Sequence, residues 1–469
     1  MVSQFVQFLI YTLATVVLAR LLSPEDYGWV GMVTAVTGIL GLIRDSGLSA
    51  ATVQRETITR ELISTVFWIN LGLGVMVALF SIAVAPGLAR FYGEPKVYGI
   101  TLALAAAFIL DSAGAQHVAL LRRQMRFQAI ALIDTISLLI AVVASISMAL
   151  AGFGYWALVA TRIATTLTIT VAAWMVEPWR PGRPRRGTGA MSMMRFGSYL
   201  TGVNLLTYSF RNADNVLIGW YWGAGSLGFY QKAYSLLMLP ISQINAPISS
   251  VAISALSRLQ SEPERLRRYF IGGYSMVASI TLPMVVGVTV FSDDIIRCVA
   301  GEQWIPSVGI FRLLAPAALI GTLLSPLAWL YVSSGRGDRQ VRAGLIWTPL
   351  MLAAFAVGLK YGPEGVALGY SGMSILLALP LCWYALRGTP VRLRDLAEAI
   401  KLPAVAAVVA GAFGYLLKAG LPPGLPAAVS GIGGCLLVLG TYAFVLLVVM
   451  RQRVRYRELV RHLFPRRGD

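Results

Sequence analysis

Fourteen stretches of this chain are apolar over about 20 residues, the length an α-helix needs to cross the hydrocarbon core of a bilayer. They span 4–21, 28–44, 62–88, 98–120, 128–150, 153–176, 196–219, 229–257, 269–291, 305–332, 342–360, 364–386, 401–418 and 426–450. Polar and charged residues gather in the short connectors between them, and no connector is long enough for a soluble domain. Met1 runs almost directly into the first stretch, without the charged leader or small-residue cleavage site of a signal peptide. The pattern predicts an all-α integral membrane protein with about 14 transmembrane helices.

Charge placement orients these helices. With the N-terminus inside, 29 of the 39 Lys and Arg fall in inner segments, 6 in outer ones and 4 within spans. Cytoplasmic loops carry such an excess, so both termini are expected in the cytoplasm. The longest connector covers 177–195, begins EPWRPGRPRRGTG, is rich in Pro and Arg and comes after the sixth span. This divides the chain into a six-helix lobe over 1–176, a basic cytoplasmic linker over 177–195 and a second six-helix lobe over 196–386. A helix pair over 387–450 and a basic cytoplasmic tail over 451–469 complete the chain, the tail being attracted to anionic headgroups. An internal repeat accompanies this division. Tyr27-Gly28-Trp29 matches Leu227-Gly228-Phe229 at an offset of 200, Gly93-Glu94-Pro95 matches Gly301-Glu302-Gln303, and Gly154 matches Gly365 at an offset of 211. Parallel halves of this kind are related by a pseudo-twofold along the membrane normal, with the substrate site between them.

Composition removes other classes. The chain is 57% hydrophobic and 13% charged with a mean hydropathy of +0.71, too apolar for a soluble fold. The net charge of +18 does not point to nucleic acid, because the cations are dispersed through connectors rather than gathered on one groove-facing surface. Cys298, Cys382 and Cys435 are too widely spaced for a metal knuckle or disulfide framework and read as small core residues. With His117 and His462 the only histidines, no metal cluster can be written. There is no Walker A sequence, and GAGSLG at 223–228 joins two apolar helices without the strand that a phosphate loop needs, so it is a turn. A transporter without cofactor is expected, not an enzyme.

Several short motifs are distinctive in combination: LARLLSPEDYGWVGM at 18–32, DSGLSAATVQRE at 45–56, GFGYWALV at 152–159, RNADNVLIG at 211–219 and ALSRLQSEPERLRR at 255–268. In these the chain resembles the polysaccharide transporter branch of the MOP (multidrug, oligosaccharidyl-lipid and polysaccharide) exporter superfamily, which includes the Wzx-type flippases. The resemblance implies two lobes in an inverted V with alternating access to a central cavity. It also implies a lipid-linked oligosaccharide of the undecaprenyl-pyrophosphate type as substrate. That glycan would move from the inner to the outer leaflet of a bacterial inner membrane for O-antigen, capsule or exopolysaccharide export. Membrane lipids, a polysaccharide polymerase and export machinery are the implied partners. One departure is a leader before the first helix shorter than the family's. A drug or ion antiporter of the same superfamily shares the architecture. A membrane polymerase or glycosyltransferase would need a sizeable external loop with catalytic acids or arginines, which this chain lacks.

A pyrophosphate headgroup needs a polar, preferably cationic path through the hydrocarbon, so charges inside spans are the candidate site residues. They are Asp111, Asp134, Arg162, Arg211, Asp214 and Arg312, with Lys232 near an outer end. Each costs about 2.5–3.5 kcal/mol at a helix centre on insertion scales, and so faces a cavity or a partner. In the seventh span Asn204, Tyr208, Arg211, Asn212 and Asn215 recur at intervals of 3 to 4, on one helix face. The first span has Gln4, Thr12 and Thr15 at the matching offset of 200. Two readings of this stripe stand: a cavity lining, or hydrogen bonding between helices. Arg211 either meets phosphate or pairs with Asp214. Arg162 and Arg312 either snorkel outward or line the outer cavity and receive the pyrophosphate. Asp111 and Asp214 either bind H⁺ or Na⁺ to couple transport to an ion gradient or pair with an arginine. Prolines at 240, 247, 283, 316, 326, 349 and 380 are expected to kink spans eight to twelve.

Overall fold

A computed structural model describes residues 2–45, 47–55, 58–185, 189–190, 205, 208, 212–422, 425–453 and 456. Among these every regular element is helical. Twelve helices are long and apolar enough to cross a membrane, and Val6–Leu21 adds a shorter apolar one. The chain is a multi-pass membrane protein.

Six of the first seven helices track the first six apolar stretches, and the short α3 lies in the connector after the second: α1 (Val2–Leu21), α2 (Pro24–Asp45), α3 (Leu48–Gln54), α4 (Arg60–Tyr92), α5 (Pro95–Arg123), α6 (Phe127–Leu150) and α7 (Trp156–Val176). Local chemistry marks their ends. Ser23 and Asp26 form a reciprocal cap before α2, the Ser23 N–H donating to Asp26 Oδ2 at 2.9 Å and the Asp26 N–H to Ser23 Oγ at 3.2 Å, with Pro24 between them. Thr59 caps α4 by accepting from the Leu62 N–H at 3.2 Å, and Gly93, at φ 67°, closes it. The Arg123 guanidinium donates to the carbonyls of Thr52 at 3.1 Å and Val53 at 3.4 Å, and also to that of Arg55, satisfying the open end of α3.

The next helix, α8 (Ala213–Arg258), runs for 46 residues and is broken at Gly223, whose φ of 78° and ψ of −176° only glycine adopts readily. One continuous run therefore holds the end of the expected seventh stretch and all of the eighth. Most of the seventh stretch, 196–211 apart from 205 and 208, lies outside the described residues. Beyond it come α9 (Pro263–Val290), α10 (Ser292–Val299), α11 (Ser307–Leu324), α12 (Leu327–Ser333), α13 (Gly337–Leu359), α14 (Gly362–Leu386), α15 (Leu393–Gly420) and α16 (Gly434–Phe444), the last flanked by π-helical turns. The expected tenth stretch is interrupted between α11 and α12 at Pro326, which has no N–H to continue the ladder.

The chain divides into two compact units, Met1–Gln231 and Lys232–Asp469, with the boundary inside α8. In the first, α4 packs on α5, α5 on α7, α7 on α6, and α6 on α1, while α2 lies against α4 and α5. In the second, α9 packs on α15 and α11, α14 on α11 and α13, and α16 on α15. Its buried heart includes Phe270, set edge-on to Trp329 and stacked on Tyr274. At the start of α9 and α15 the Arg267 guanidinium makes a two-pronged bond to the buried Asp395 carboxylate, at 2.6 and 2.9 Å.

Within the first unit α2 crosses the segment after Gly223 with hardly any side chain between them. A Cβ on Gly28 would lie 1.8 Å from the Ala224 carbonyl oxygen, and one on Gly228 would lie 1.9 Å from that of Pro24. Pro24 and Ala224, like Gly28 and Gly228, differ by the repeat offset of 200. The contact is therefore reciprocal about a local pseudo-twofold, of the small-residue type by which membrane helices approach closely.

Candidate functional site

The first unit contains a cavity of about 340 Å³ within its apolar helices. One wall is a face of α2 formed by Thr34, Thr37, Gly38, Gly41 and Arg44, each three or four residues from another of the set. Opposite stand Phe108 and Asp111 of α5 and Arg162 of α7, and Tyr208 closes one side. Tyr208 donates its hydroxyl to the Thr34 carbonyl at 3.0 Å and lies directly over Gly38, where a Cβ would come within 1.9 Å of the phenol oxygen. Only glycine at 38 leaves room for that ring.

Charge is the cavity's main feature. Arg162 Nη2 donates to Asp111 Oδ2 at 2.6 Å, and Arg44 Nη1 lies 3.6 Å from the same oxygen. Arg44 and Asp111 are mostly buried, whereas Arg162 is half exposed. Arg44 Nε is buried with no hydrogen-bond partner. Two guanidiniums around one carboxylate leave a net positive charge among apolar helices, and their donors suit a phosphate oxygen. The carboxylate holds the cations in place when no anion is bound, since unpaired they would repel and be costly to bury.

The other candidates lie elsewhere. Asn212 donates its amide to the Tyr208 carbonyl at 3.0 Å and accepts from Asn215 Nδ2 at 3.4 Å, so both amides serve local structure beside the cavity. Asp214 is buried, accepting from the Tyr230 hydroxyl at 2.8 Å across the bend at Gly223 and from the adjacent Asn215 N–H at 2.8 Å. Asn204 and Arg211 lie outside the described residues. In the second unit Arg312 donates to both oxygens of Asp293 at 2.8 Å and to Ser292 Oγ at 2.9 Å. Lys418 reaches the same carboxylate at 2.9 Å, so Arg312 belongs to an ion-pair network at helix ends. His117 is buried in an aromatic cage of Phe67, Trp174 and Trp179, stacked on Trp174 at 4.3 Å, and does not meet Asp111's group. Arg44 was not among the sequence candidates, because it ends an apolar stretch and counts as a connector charge. The signal that could have found it is the Thr34-Thr37-Gly38-Gly41-Arg44 face.

Residues 17–309 match the sequence profile of a family described as "Polysaccharide biosynthesis protein", a span of more than half the chain. The chain belongs to that family. The lipopolysaccharide biosynthesis protein WzxC of Escherichia coli (strain K12) is 25% identical over 367 residues, which are 77% of this chain and 74% of that protein. The succinoglycan biosynthesis transport protein ExoT of Rhizobium meliloti (strain 1021) is 25% identical over 347 residues, 74% of this chain and 69% of that one. The solved structure of the lipid II flippase MurJ in an inward closed conformation superposes over 98% of this chain and 99% of that one, with a TM-score of 0.78 at 14% identity. Over nearly its whole length this chain therefore shares the helical architecture of that structure. The cavity of the first unit, with Arg44, Asp111 and Arg162, lies on residues that the family profile covers.

Proposed function

We propose that this protein flips a lipid-linked oligosaccharide of the undecaprenyl-pyrophosphate type from the inner to the outer leaflet of a bacterial inner membrane, with both termini in the cytoplasm. The observation that carries the reading is the cationic cavity among apolar helices. A pyrophosphate headgroup cannot cross about 30 Å of hydrocarbon unaided. Arg44 and Arg162 offer it phosphate-binding donors, while the lipid tail keeps to the bilayer. Asp111 competes with the phosphate for both guanidiniums, which keeps binding weak enough for release on the far side. It is also the carboxylate that faces the cavity, so H⁺ or Na⁺ capture there would free the arginines for the substrate and couple transport to an ion gradient. The names of WzxC, a lipopolysaccharide biosynthesis protein, and ExoT, a succinoglycan biosynthesis transport protein, support a surface polysaccharide as the end product.

The test is transport in proteoliposomes of an undecaprenyl-pyrophosphate trisaccharide carrying a quenchable fluorophore. The double variant Arg44→Ala with Arg162→Ala is expected to lower the rate about tenfold or more, since one charge-assisted bond to phosphate contributes about 1.5–3 kcal/mol. The triple variant that adds Asp111→Asn removes the orphaned carboxylate, so abundance returns while transport stays low. Recovery of transport in the triple variant would mean that the arginines serve only to neutralise Asp111, and the reading falls.

A further inference from the structure

The Pro- and Arg-rich linker has no role in the membrane cavity, yet its described part, residues 177–185, has a definite place. Pro178, Pro181 and Pro184 recur every three residues, the period of polyproline II, which has no internal hydrogen bonds. The same period puts Arg180 and Arg183 on one edge, about 9 Å apart at a rise of about 3.1 Å per residue. The first turns of α4 hold the segment down. The Gly182 N–H donates to Ser64 Oγ at 3.0 Å, Trp68 Nε1 donates to the Gly182 carbonyl at 2.9 Å, and the Arg185 N–H donates to Thr65 Oγ1 at 3.1 Å. At its start Glu177 accepts from Gln124 Nε2 at 2.9 Å, and Arg180 Nη1 donates to the carbonyls of Trp174, Glu177 and Trp179 at the end of α7.

Between this strap and the ends of α4, α5 and α7 lies a groove of about 920 Å³, in the range that accommodates a bulky headgroup rather than a single ion. Four arginines, Arg60, Arg180, Arg183 and Arg185, line it against two glutamates, Glu61 and Glu177, leaving a surplus of two positive charges. Glu177 is occupied by Gln124, and Glu61 lies 4.0 Å from Arg185. The side chains of Arg60 and Arg183 are exposed and make no ion pair or hydrogen bond among the described residues. Trp68 is 43% exposed beside the strap, as is common for tryptophan at the headgroup level. A groove with unpaired guanidiniums at the membrane end of a helix bundle has the chemistry for phosphate esters held by a lipid.

We propose that this groove docks phosphorylated lipid headgroups of the leaflet it faces, at a site separate from the Arg44–Asp111–Arg162 cavity. The arginine ladder receives the phosphate, and the bonds from Ser64, Thr65 and Trp68 hold the ladder in register. Such a site would concentrate anionic lipid beside the protein. The proposal stands on binding alone and does not need the transport reading to hold.

The experiment uses the full chain in phosphatidylcholine nanodiscs, one set doped with phosphatidylglycerol and the other with undecaprenyl pyrophosphate, with retained lipid counted by native mass spectrometry. Arg60→Gln with Arg183→Gln removes only unpaired, exposed charges. It is expected to lower retention of at least one of the two lipids about tenfold or more, at about 1 kcal/mol for each cation. Loss in the phosphatidylglycerol set alone assigns the groove to bulk anionic lipid, and loss in the undecaprenyl set assigns it to the carrier lipid. Arg90→Gln, at the other end of α4, is expected to change neither. Wild-type retention of both lipids by the double variant overturns the proposal, as does an equal loss from Arg90→Gln.

Discussion

At the scale of single residues, Asp111 governs the cavity, because two guanidiniums converge on one of its oxygens. Asp111→Asn keeps the shape and removes the charge, leaving Arg44 and Arg162 to repel each other beneath apolar helices. We expect a loss of about 1–3 kcal/mol, less than for a fully buried pair because Arg162 is half exposed. In detergent this reads as a lowered melting temperature. Arg162→Gln should cost less, since Arg44 remains to balance the carboxylate, and Asp111→Asn with Arg44→Gln should recover most of the loss. A melting temperature unchanged by Asp111→Asn would mean that the three groups are solvated independently. Asp111 and Arg162 were each legible as charges inside apolar stretches, but their pairing was not, because they lie 51 positions apart and no local rule brings α5 and α7 together. Tyr208 was legible from helical spacing alone, whereas its seat over Gly38 depends on how α2 approaches it.

Among elements, the crossing of α2 with the segment after Gly223 is the contact least tolerant of change. Gly28→Val would drive a side chain into a backbone carbonyl that has nowhere to move, so the helices must separate. A destabilisation of about 1–3 kcal/mol or more is expected, as for other overpacked contacts. Gly228→Val should act alike, since the contact is reciprocal. Gly87→Ala is the control, because a Cβ there meets nothing within 4 Å and alanine is the better helix former. It should be neutral or slightly stabilising in the same thermal melt. If Gly28→Val melts with the wild type, the close crossing does not exist in the folded protein. The repeat of Tyr27-Gly28-Trp29 in Leu227-Gly228-Phe229 was visible as a pattern of small and aromatic residues. Its meaning as a self-matching contact emerged only when Pro24 and Ala224 were seen to receive the two glycines.

For the whole molecule, the bias of basic residues toward alternate connectors predicts a topology that fusions can read. Reporters placed after Glu94 and Tyr361 should be external, and those after Gln124 and Glu262 cytoplasmic. A reversed site would break the alternation between that point and its neighbours. Hydrophobic run length by itself determined that the chain is a bundle of membrane helices and nearly where the first six stretches begin and end, because hydrocarbon forces every backbone group into local hydrogen bonds. The lack of a Walker A sequence and of histidines for a metal cluster likewise depended only on residue order. Which intramembrane charges share a cavity was decided by tertiary structure. Arg44, Asp111 and Arg162 come from three helices, and the free energy of burying each depends on the others being within a few ångströms. The linker behaves the same way: its three-residue period was written in the sequence, but only the Ser64, Thr65 and Trp68 donors and acceptors of α4 turn it into one wall of a groove.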